Sequence, residues 1–286
     1  DDANDTLWLS GDVNVVGWLN TKLYDETLDE RAAQGWCPTV LDTSGDGTIS
    51  APWNEPDRGG GYENLDTNLD TRVVVGSYGI IGDPTDDKAV WISSTRFPGR
   101  LARLHIGDNP PETCVTEMYE VPSVLDPNVP REQTGFGSRG IDIDRNGVVW
   151  TALSGSSHFA SFDRTKCEGP LNGPTATGRH CRQGWTLYPF PGPNYKGAAD
   201  SGSAESAYYN FSDRFNLLGV GENVPLATGN LSEGVLALVD GEFHNFRVPY
   251  PLGSFFGKGL DGRIDDPSTG WKGRGIWTTS GSRAPF

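Results

Sequence analysis

The sequence lacks the features that would place it in several large classes of protein. It has no apolar run approaching the ~20 residues that a membrane-spanning helix needs. It has no serine-nucleophile elbow, no phosphate-binding P-loop and no dinucleotide-binding glycine fingerprint. No cysteines form a CxxC pair, and no CxxCH haem signature is present. We therefore expect no membrane-spanning segment, no nucleotide, no haem and no zinc held by paired cysteines.

Positive charge is scarce. The chain has 23 Lys and Arg against 38 Asp and Glu, which gives a formal net charge of −15. Phosphate backbones repel so acidic a protein, so nucleic acid is excluded as a partner. The remaining classes of partner are another protein, the rest of the same polypeptide if the chain is part of a longer one, and a small-molecule ligand.

Cysteine is rare as well. Its four occurrences are Cys37, Cys114, Cys167 and Cys181, which allow three disulfide connectivities. Cys167 and Cys181 flank a Gly/Pro-rich stretch with little capacity to form a core, and a disulfide closing that loop would leave Cys37 and Cys114 to pair. The sequence does not choose among the three. Disulfides indicate an oxidising compartment, so we expect a secreted or periplasmic protein.

Turn residues are abundant, with 38 Gly and 20 Pro. From Gly140 to Thr151 an alternating strand, a tight Asn-Gly turn and a second strand carrying Trp follow one another, and an apolar strand at 157–163 comes next. This pattern predicts a meander of short antiparallel strands. Related pieces recur around Trp8, Trp91, Trp150, Leu226 and Trp277. Repeated meanders predict an all-β fold, a β-propeller of four-stranded blades.

The blades carry insertions. The intervals between the repeated positions exceed the about 40–45 residues of a plain blade. We place the insertions at about 24–70, 166–184, 193–222 and 261–273, with a short helix around 203–215. Alternating segments that end in Pro122, Pro191 and Pro249 are predicted outer strands, because proline cannot donate to a further ladder.

We treat residues 1–286 as a single propeller domain. A new blade begins at Trp277, and the chain ends nine residues later. Either N-terminal strands complete that blade, or the propeller is incomplete in this chain and belongs to a longer polypeptide. The sequence favours the second reading.

A calcium-loop pattern begins at Asp42. Asp42, Ser44 and Asp46 supply oxygen side chains at positions 1, 3 and 5, Gly47 allows the turn, and Thr48 offers a backbone carbonyl. Position 12 is Trp53 rather than glutamate, so Glu55, or Asp57, would have to close the site. We predict a structural Ca²⁺ here. The alternative is an Asp/Gly-rich turn without an ion.

Two side chains are weak candidates for catalysis. His158 begins the strand after the Trp150 strand, where a propeller side chain can face the rim or the channel. It is either a general base or a histidine held by local hydrogen bonds. Glu205 lies among clustered aromatic residues, where it is either an acid or base acting on a bound ligand, or part of a cluster that anchors an insertion.

The run from Tyr119 to Asp163 resembles the virginiamycin B lyase-like (streptogramin lyase-like) β-propeller family. It contains Glu120-Val121-Pro122, a polar loop, the Gly140 to Thr151 unit and Phe159 to Asp163. The chain is also similar to a group of large secreted bacterial proteins of uncharacterised activity that carry this propeller. The resemblance implies the fold well and the activity poorly, because propellers host many unrelated functions.

For an enzyme, the resemblance implies a magnesium-dependent C–O lyase that opens a cyclic depsipeptide lactone. In those lyases the Trp-bearing strand often continues into a glutamate that helps to hold the metal. The corresponding positions here are Gly11, Ser94, Leu153, Gly229 and Ser280. Because none is a carboxylate, no residue is carried over as catalytic.

Three functions remain open. The first is an extracytoplasmic binding or scaffold module with a structural calcium loop. The second is a lyase or hydrolase of the streptogramin lyase type, acting at the central channel. The third is a calcium-stabilised part of a larger secreted polypeptide whose activity lies elsewhere. The missing strand carboxylates weaken the second.

Overall fold

The structure is a computed structural model that describes residues 5–10, 14–49, 70–193, 203–249 and 256–279. Nearly all of the regular structure in these residues is β, so the predicted all-β class is confirmed. The helical segments described are short: α1 (Thr21–Thr27), α2 (Glu30–Ala33) and the 3₁₀ turns Arg131–Gln133, Arg164–Lys166 and Arg182–Gly184. No helix of the described residues is long and apolar enough to cross a membrane.

The chain folds into two compact units, and each is discontinuous in sequence. The first consists of Asp1–Pro122 and Asp163–Trp185, and the second of Ser123–Phe162 and Thr186–Phe286. The first unit therefore consists of two segments that about 40 intervening residues separate.

The described residues of the first unit form three antiparallel sheets. One is three-stranded, in the order β1-β2-β3, one pairs β4 with β5, and the third is a four-stranded meander in the order β6-β7-β8-β9. The strands are β1 (Thr6–Leu9), β2 (Val15–Asn20), β3 (Gln34–Pro38), β4 (Val40–Leu41), β5 (Thr71–Arg72), β6 (Ser77–Gly82), β7 (Ala89–Ser94), β8 (Arg100–His105) and β9 (Val115–Glu120).

The second unit contains two four-stranded meanders and a two-stranded sheet among its described residues. Their orders are β10-β11-β12-β13, β14-β15-β16-β17 and β18-β19. The strands are β10 (Ser138–Ile143), β11 (Val149–Leu153), β12 (His158–Phe162), β13 (Trp185–Pro189), β14 (Asn210–Asp213), β15 (Val224–Gly229), β16 (Gly234–Val239), β17 (Glu242–Arg247), β18 (Leu260–Arg263) and β19 (Gly275–Thr278). Four-stranded meanders of this kind are consistent with the blades of a β-propeller.

A buried aspartate fixes the turn between the first and second strands of the β10–β13 sheet. The carboxylate of Asp144 accepts the backbone N–H groups of Asn146 (2.8 Å) and Val148 (3.0 Å). Gly147 completes the turn at φ 80°, a conformation that L side chains rarely adopt. The other carboxylate oxygen of Asp144 accepts the indole N–H of Trp150 at 3.5 Å. One side chain thus joins the turn to the second strand.

The same device recurs in the other two four-stranded sheets. Asp83 follows β6 and accepts the backbone N–H of Thr85 (3.0 Å) and the indole N–H of Trp91 (3.0 Å). Asp213 ends β14 and accepts backbone N–H groups from the turn at 215–218. The second strand of that sheet has Leu226 where the others have tryptophan, so its aspartate bonds to backbone only.

Positions singled out by the repeat fall on equivalent strands. Trp91, Trp150 and Leu226 lie on β7, β11 and β15, the second strand of each four-stranded sheet. Strands β7 and β15 are buried along their whole length, as expected for inner strands. Trp8 differs, since it lies on β1, the first strand described in a three-stranded sheet.

The segments that end in proline are the fourth strands of these sheets, as predicted. They are β9, β13 and β17, and each stops two residues before the proline that ends its segment, which is Pro122, Pro191 or Pro249. The hydrophobic core lies between sheets within each unit. In the first unit it is centred on Val90, Ile92, Ala102 and Leu104, which are fully buried.

Two of the predicted insertions need correction. The range 24–70 includes β3, which pairs with β2 along five residues and completes the first sheet. The range 193–222 includes β14, the first strand of a four-stranded sheet, and the predicted helix around 203–215 is wrong. Asn210 explains the strand: its side chain donates to the carbonyl of Trp150 at 2.9 Å and so ties this segment to the neighbouring sheet.

The other two ranges are largely irregular where the structure describes them. Residues 166–184 form a loop with two 3₁₀ turns, and 261–273 holds the end of β18 and a single bridge between Asp266 and Trp271.

Both disulfides lie in the first unit. Cys167 bonds to Cys181 and closes the Gly/Pro-rich loop, and Cys37 bonds to Cys114, 77 residues away in sequence. Cys37 and Cys114 are fully buried in the core. This is the connectivity in which one bridge closes the loop and the remaining cysteines pair.

Removing either disulfide should destabilise the protein by an amount that follows loop length. In the chain-entropy model, opening the loop of sequence separation 77 costs about 4.5 kcal/mol, and opening that of 14 costs about 3 kcal/mol. We expect urea unfolding to give a larger loss for Cys37→Ala/Cys114→Ala than for Cys167→Ala/Cys181→Ala. Equal losses would contradict this account.

Candidate functional site

A polar cavity of about 440 Å³ lies in the first unit, on the side of the β6–β9 sheet where β8 ends and β9 begins. This volume is within the range typical of small-molecule sites, about 300–1,000 Å³. Parts of the chain that are far apart in sequence form its wall. The lining residues are Gly47, Arg103, His105, Gly107, Asp108, Thr113, Val115, Glu117, Arg164 and Asn172.

Glu117 is the best-held side chain in this wall. It is buried, and its carboxylate accepts two hydrogen bonds from Arg164, from Nε and Nη2, each at 2.6 Å. The hydroxyl of Tyr119 donates to the same carboxylate at 2.6 Å. Paired, bidentate geometry of this kind is what allows a carboxylate to be buried. Burial, followed by the nearby negative charge of Glu117, raises the pKa of Tyr119, so Tyr119 stays a donor.

Arg103 continues the network toward the first turn of the sheet. Its Nε donates to Asp83 at 2.9 Å and its Nη2 donates to Asp86 at 2.7 Å. Its Nη1 lies 3.8 Å from Glu117, too far for a hydrogen bond. Burial opposes ionisation of Asp83, but the hydrogen bonds from Thr85 and Arg103 outweigh it and lower the pKa of this carboxyl.

His105 and His180 are both held by backbone groups. Nδ1 of His105 accepts the N–H of Gly107 at 3.0 Å, and its Nε2 lies 3.5 Å from Asp86. Nδ1 of His180 accepts the N–H of Gly178 at 3.2 Å, which leaves the proton on Nε2. That Nε2 is buried and has no hydrogen-bond partner among the described residues. Desolvation lowers the pKa of His180.

The predicted calcium loop is built around the carboxylate of Asp42. This side chain is buried and accepts the backbone N–H groups of Gly45 (2.6 Å), Asp46 (3.2 Å) and Gly47 (2.9 Å). The hydroxyl of Ser44 adds a fourth hydrogen bond at 3.2 Å. Asp42 Oδ2 accepts one of these bonds, which leaves it capacity for another ligand.

Two further carboxylates border this loop. Asp46 is exposed and accepts the backbone N–H and the hydroxyl of Thr48, both at 2.9 Å, and these bonds lower its pKa. Asp70 is buried and lies 3.4 Å from the backbone N–H of Ser44. The sequence pattern missed Asp70 because it lies outside the motif. Glu55 lies outside the described residues.

The oxygen-only donor set of this loop suits calcium, which prefers carboxylates and carbonyls. In the part of the chain that the structure describes, however, no three His, Cys, Asp or Glu side chains already converge on one point. A calcium ion here would have to draw Asp42, Asp46 and Asp70 together with backbone carbonyls.

His158, a candidate for catalysis, is buried at the start of β12, the third strand of its sheet. Its Nδ1 is 3.1 Å from the hydroxyl of Ser156, which in turn accepts the N–H of Phe136 at 2.9 Å. Burial lowers the pKa of His158 because desolvation disfavours the imidazolium. These contacts favour the second of the two alternatives, in which His158 is held by local hydrogen bonds.

Glu205, the other candidate, is also buried and acts as a cap. One carboxylate oxygen accepts the backbone N–H groups of Ser206 and Leu231, both at 2.8 Å, and the other accepts that of Ser232 at 2.9 Å. Leu231 and Ser232 lie in the turn between β15 and β16. Glu205 therefore satisfies a turn that would otherwise carry unpaired donors.

The positions that correspond to the lyase carboxylates are equivalent in the structure too. Ser94, Leu153 and Gly229 are the last residues of β7, β11 and β15, the second strands of the three four-stranded sheets. All three lack a carboxylate. Gly11 and Ser280 lie outside the described residues.

Sequence reasoning did not find the cavity. The strongest sequence signal for the cavity was the presence of charged residues on β8 and β9, where Arg103 pairs directly with Glu117 in the strand register. Charged pairs on a strand are common on surfaces, so this pattern alone does not indicate a site. Arg164 and Asn172 come from the disulfide-closed loop region, which no local pattern connects to these strands.

Comparison with known proteins found no matching protein-family model and no matching curated protein. Two solved structures of virginiamycin B lyase from Staphylococcus aureus are similar. A catalytically inactive variant with quinupristin has 13% identity and a TM-score of 0.36, over 73% of this chain and 71% of that chain. A selenomethionine-substituted form has 14% identity and a TM-score of 0.33, over 72% and 70%. The similarity is distant. At these values the similarity does not indicate a function for this chain. The assignment to the all-β class is based on the observed sheets.

The buried histidines should make stability depend on pH. Because burial lowers the pKa of His158 and His180, the unfolded chain binds more protons than the folded one just below the ordinary histidine pKa of about 6.5. Stability is thus retained above about pH 6.5 and falls as the pH drops below it.

We expect His158→Gln to flatten the dependence of the urea midpoint between about pH 7 and 5, with His244→Gln, exposed on β17, as the control. An unchanged slope in His158→Gln would contradict this assignment.

A structural role for Glu205 predicts a loss of stability when it becomes Gln. The amide would turn an N–H donor toward one of the backbone N–H groups that the carboxylate now accepts, at a cost of about 1–3 kcal/mol. Glu242→Gln, at an exposed position on β17, should change the free energy of unfolding by less than about 0.5 kcal/mol. Equal effects of the two substitutions would rule out the capping role.

Proposed function

We propose that this chain is a non-catalytic, extracytoplasmic binding module whose ligand site is the cavity of the first unit. The observation that carries this proposal is the network of Glu117, Arg164 and Arg103. Glu117 and Arg164 hold each other, and Asp83 and Asp86 hold Arg103, while Glu117, Arg164 and Arg103 still line an open cavity. Such preorganisation favours binding, because little side-chain entropy remains to be lost when a ligand arrives.

The hydrogen bonds of the two catalytic candidates, His158 and Glu205, favour a binding function over a catalytic one. His158 is desolvated and fixed by Ser156, and both carboxylate oxygens of Glu205 accept backbone N–H groups, two of them from the turn that it caps. Neither lines the cavity. A lyase or hydrolase acting at a propeller channel remains the second hypothesis from the resemblance, but Ser94, Leu153 and Gly229 supply it with no carboxylate.

The compartment and partner classes follow from the chemistry of the chain. Two disulfides are the basis for proposing a secreted or periplasmic location. The net charge of −15 argues against nucleic acid as a partner. Small molecules are the partners that the cavity suits, and another protein or the rest of a longer polypeptide would use the remaining surface.

We also propose that the Asp42 loop binds a structural calcium ion through Asp42, Asp46 and Asp70. The loop borders the cavity through Gly47, and the carbonyl of Asp42 accepts the N–H of Gly173 in the disulfide-closed loop at 2.8 Å. An ion here would stiffen two segments of the cavity wall at once.

The cavity can be tested with a tryptophan that fills it. Saturation-transfer NMR would be run with a panel of neutral sugars, carboxylates, phosphates and amines. We expect at least one class to bind the wild type, and Asn172→Trp to weaken that binding about 10-fold or more by occupying the site. Asn109→Trp, at an exposed position that does not line the cavity, is the matched control. Binding that Asn172→Trp leaves intact, or no binding by any class, would refute the proposed site.

Calcium binding has a close internal control. Asp266 accepts the backbone N–H and hydroxyl of Ser268 as Asp46 does those of Thr48, but only Asp46 borders Asp42 and Asp70. Calcium at about 100 times its Kd should stabilise the wild type by about 2.7 kcal/mol. We expect differential scanning calorimetry to show most of this gain lost in Asp46→Asn and kept in Asp266→Asn. No calcium-dependent shift in the wild type would refute the ion and leave an ordinary turn.

A further inference from the structure

The cavity wall presents hydrogen-bonding groups that no other described residue uses. Nη1 of Arg103 makes no hydrogen bond to a described residue, and it lies 3.8 Å from Oε1 of Glu117. That oxygen accepts a single hydrogen bond, from Arg164, whereas the other accepts two. A donor and an acceptor with spare capacity therefore stand side by side, with a gap between them.

The distance of 3.8 Å between Nη1 of Arg103 and Oε1 of Glu117 limits which ligand groups can bridge them. An atom that bridges these two groups must accept from the guanidinium and donate to the carboxylate. A hydroxyl does both with one oxygen atom. A carboxylate or phosphate would place a second negative charge against Glu117, and an ammonium would place a positive charge against Arg103.

Asn172 is a second lining residue with hydrogen-bonding groups available to a ligand. Its side-chain amide, which both donates and accepts, has no hydrogen-bond partner among the described residues. Nη1 of Arg164 likewise makes no hydrogen bond to them. A wall that offers both donors and acceptors suits a ligand with several hydroxyls, because each hydroxyl offers both functions.

The charge around the cavity argues against an anionic ligand. Asp83 and Asp86 neutralise Arg103, and Glu117 neutralises Arg164. Lys88 pairs with Asp108, which leaves this group with one more carboxylate than cations. The chain as a whole carries −15. No excess positive charge remains to offset the desolvation of an anion.

A cationic ligand is disfavoured for a different reason. The acidic side chain deepest in the wall, Glu117, already receives a bidentate guanidinium and a phenol hydroxyl. A cation would have to compete with Arg164 for it. Asp108 is more accessible, with a side chain 90% exposed, but water screens a charge in that setting.

We propose that the cavity binds a neutral polyhydroxylated ligand of monosaccharide size, with one hydroxyl bridging Arg103 and Glu117 and another bonded to Asn172. This inference rests on the proposed function, because it names the ligand class of the same cavity. For so small and polar a ligand, we expect Kd values on the order of 1 mM.

The test is a titration with defined probes, followed by heteronuclear NMR of the intact chain. The neutral probes are D-glucose, D-galactose, D-mannose and myo-inositol, and the charged comparisons are D-galacturonate and D-glucosamine. At least one neutral probe should bind more tightly than either charged probe. Asn172→Ala should weaken it about 3- to 10-fold, as expected for one lost hydrogen bond, and Asn109→Ala should leave it unchanged.

The outcomes separate this inference from the proposed function. Binding of galacturonate or glucosamine that Asn172→Trp abolishes, with no neutral probe bound, would overturn the ligand class and keep the cavity as a binding site. Equal effects of Asn172→Ala and Asn109→Ala would overturn the assigned contact. The absence of any Asn172-dependent binding would overturn both.

Discussion

The constraint on which the rest of this structure depends is the burial of a carboxylate at the end of the first strand in each four-stranded sheet. Asp83, Asp144 and Asp213 all occupy this place and are 5% exposed or less. A buried charge is tolerated only when its hydrogen-bonding capacity is filled, so the following turn must present its N–H groups to it. The turn sets the register of the second strand, and in two sheets the indole of that strand completes the set.

In the first unit this constraint extends to the cavity. Asp83 holds Arg103 on β8, Arg103 lies across the strand register from Glu117 on β9, and Glu117 holds Arg164. Arg103 is paired with Asp83 and Asp86, and Glu117 is paired with Arg164, so the buried charges on both strands have partners. The charged side chains of the cavity wall therefore belong to the same hydrogen-bond network that fixes the turn after β6. The polar atoms left for a ligand are those, such as Nη1 of Arg103, that bond to no described residue.

Local patterns predicted what local interactions determine. The turn at Asn146-Gly147, the tryptophan strands and the outer strands ending in proline follow from backbone propensities and hydrogen-bond geometry within about ten residues, and all were predicted. Strands β3 and β14 were missed because their residues, such as Asn210 and Ser212, lack an alternating apolar pattern. They are strands because the adjacent strands β2 and β15 supply their backbone hydrogen bonds, and the side chain of Asn210 also bonds β14 to the carbonyl of Trp150. The cavity could not be predicted, because its residues meet through strand register and the closed loop.

The discontinuity of the first unit has a consequence for the order in which the protein can form. Strand β9 emerges with Glu117 and Glu120 on it, yet Arg164 and Arg179 belong to the segment that begins at Asp163. During synthesis or export from the N-terminus, both glutamates therefore remain hydrated and without their arginine partners until about 40 further residues have emerged. The first unit cannot close before β10, β11 and β12 have been made, although it begins the chain. Vectorial folding of this protein is consequently nested, with the earliest segment among the last to acquire its final contacts.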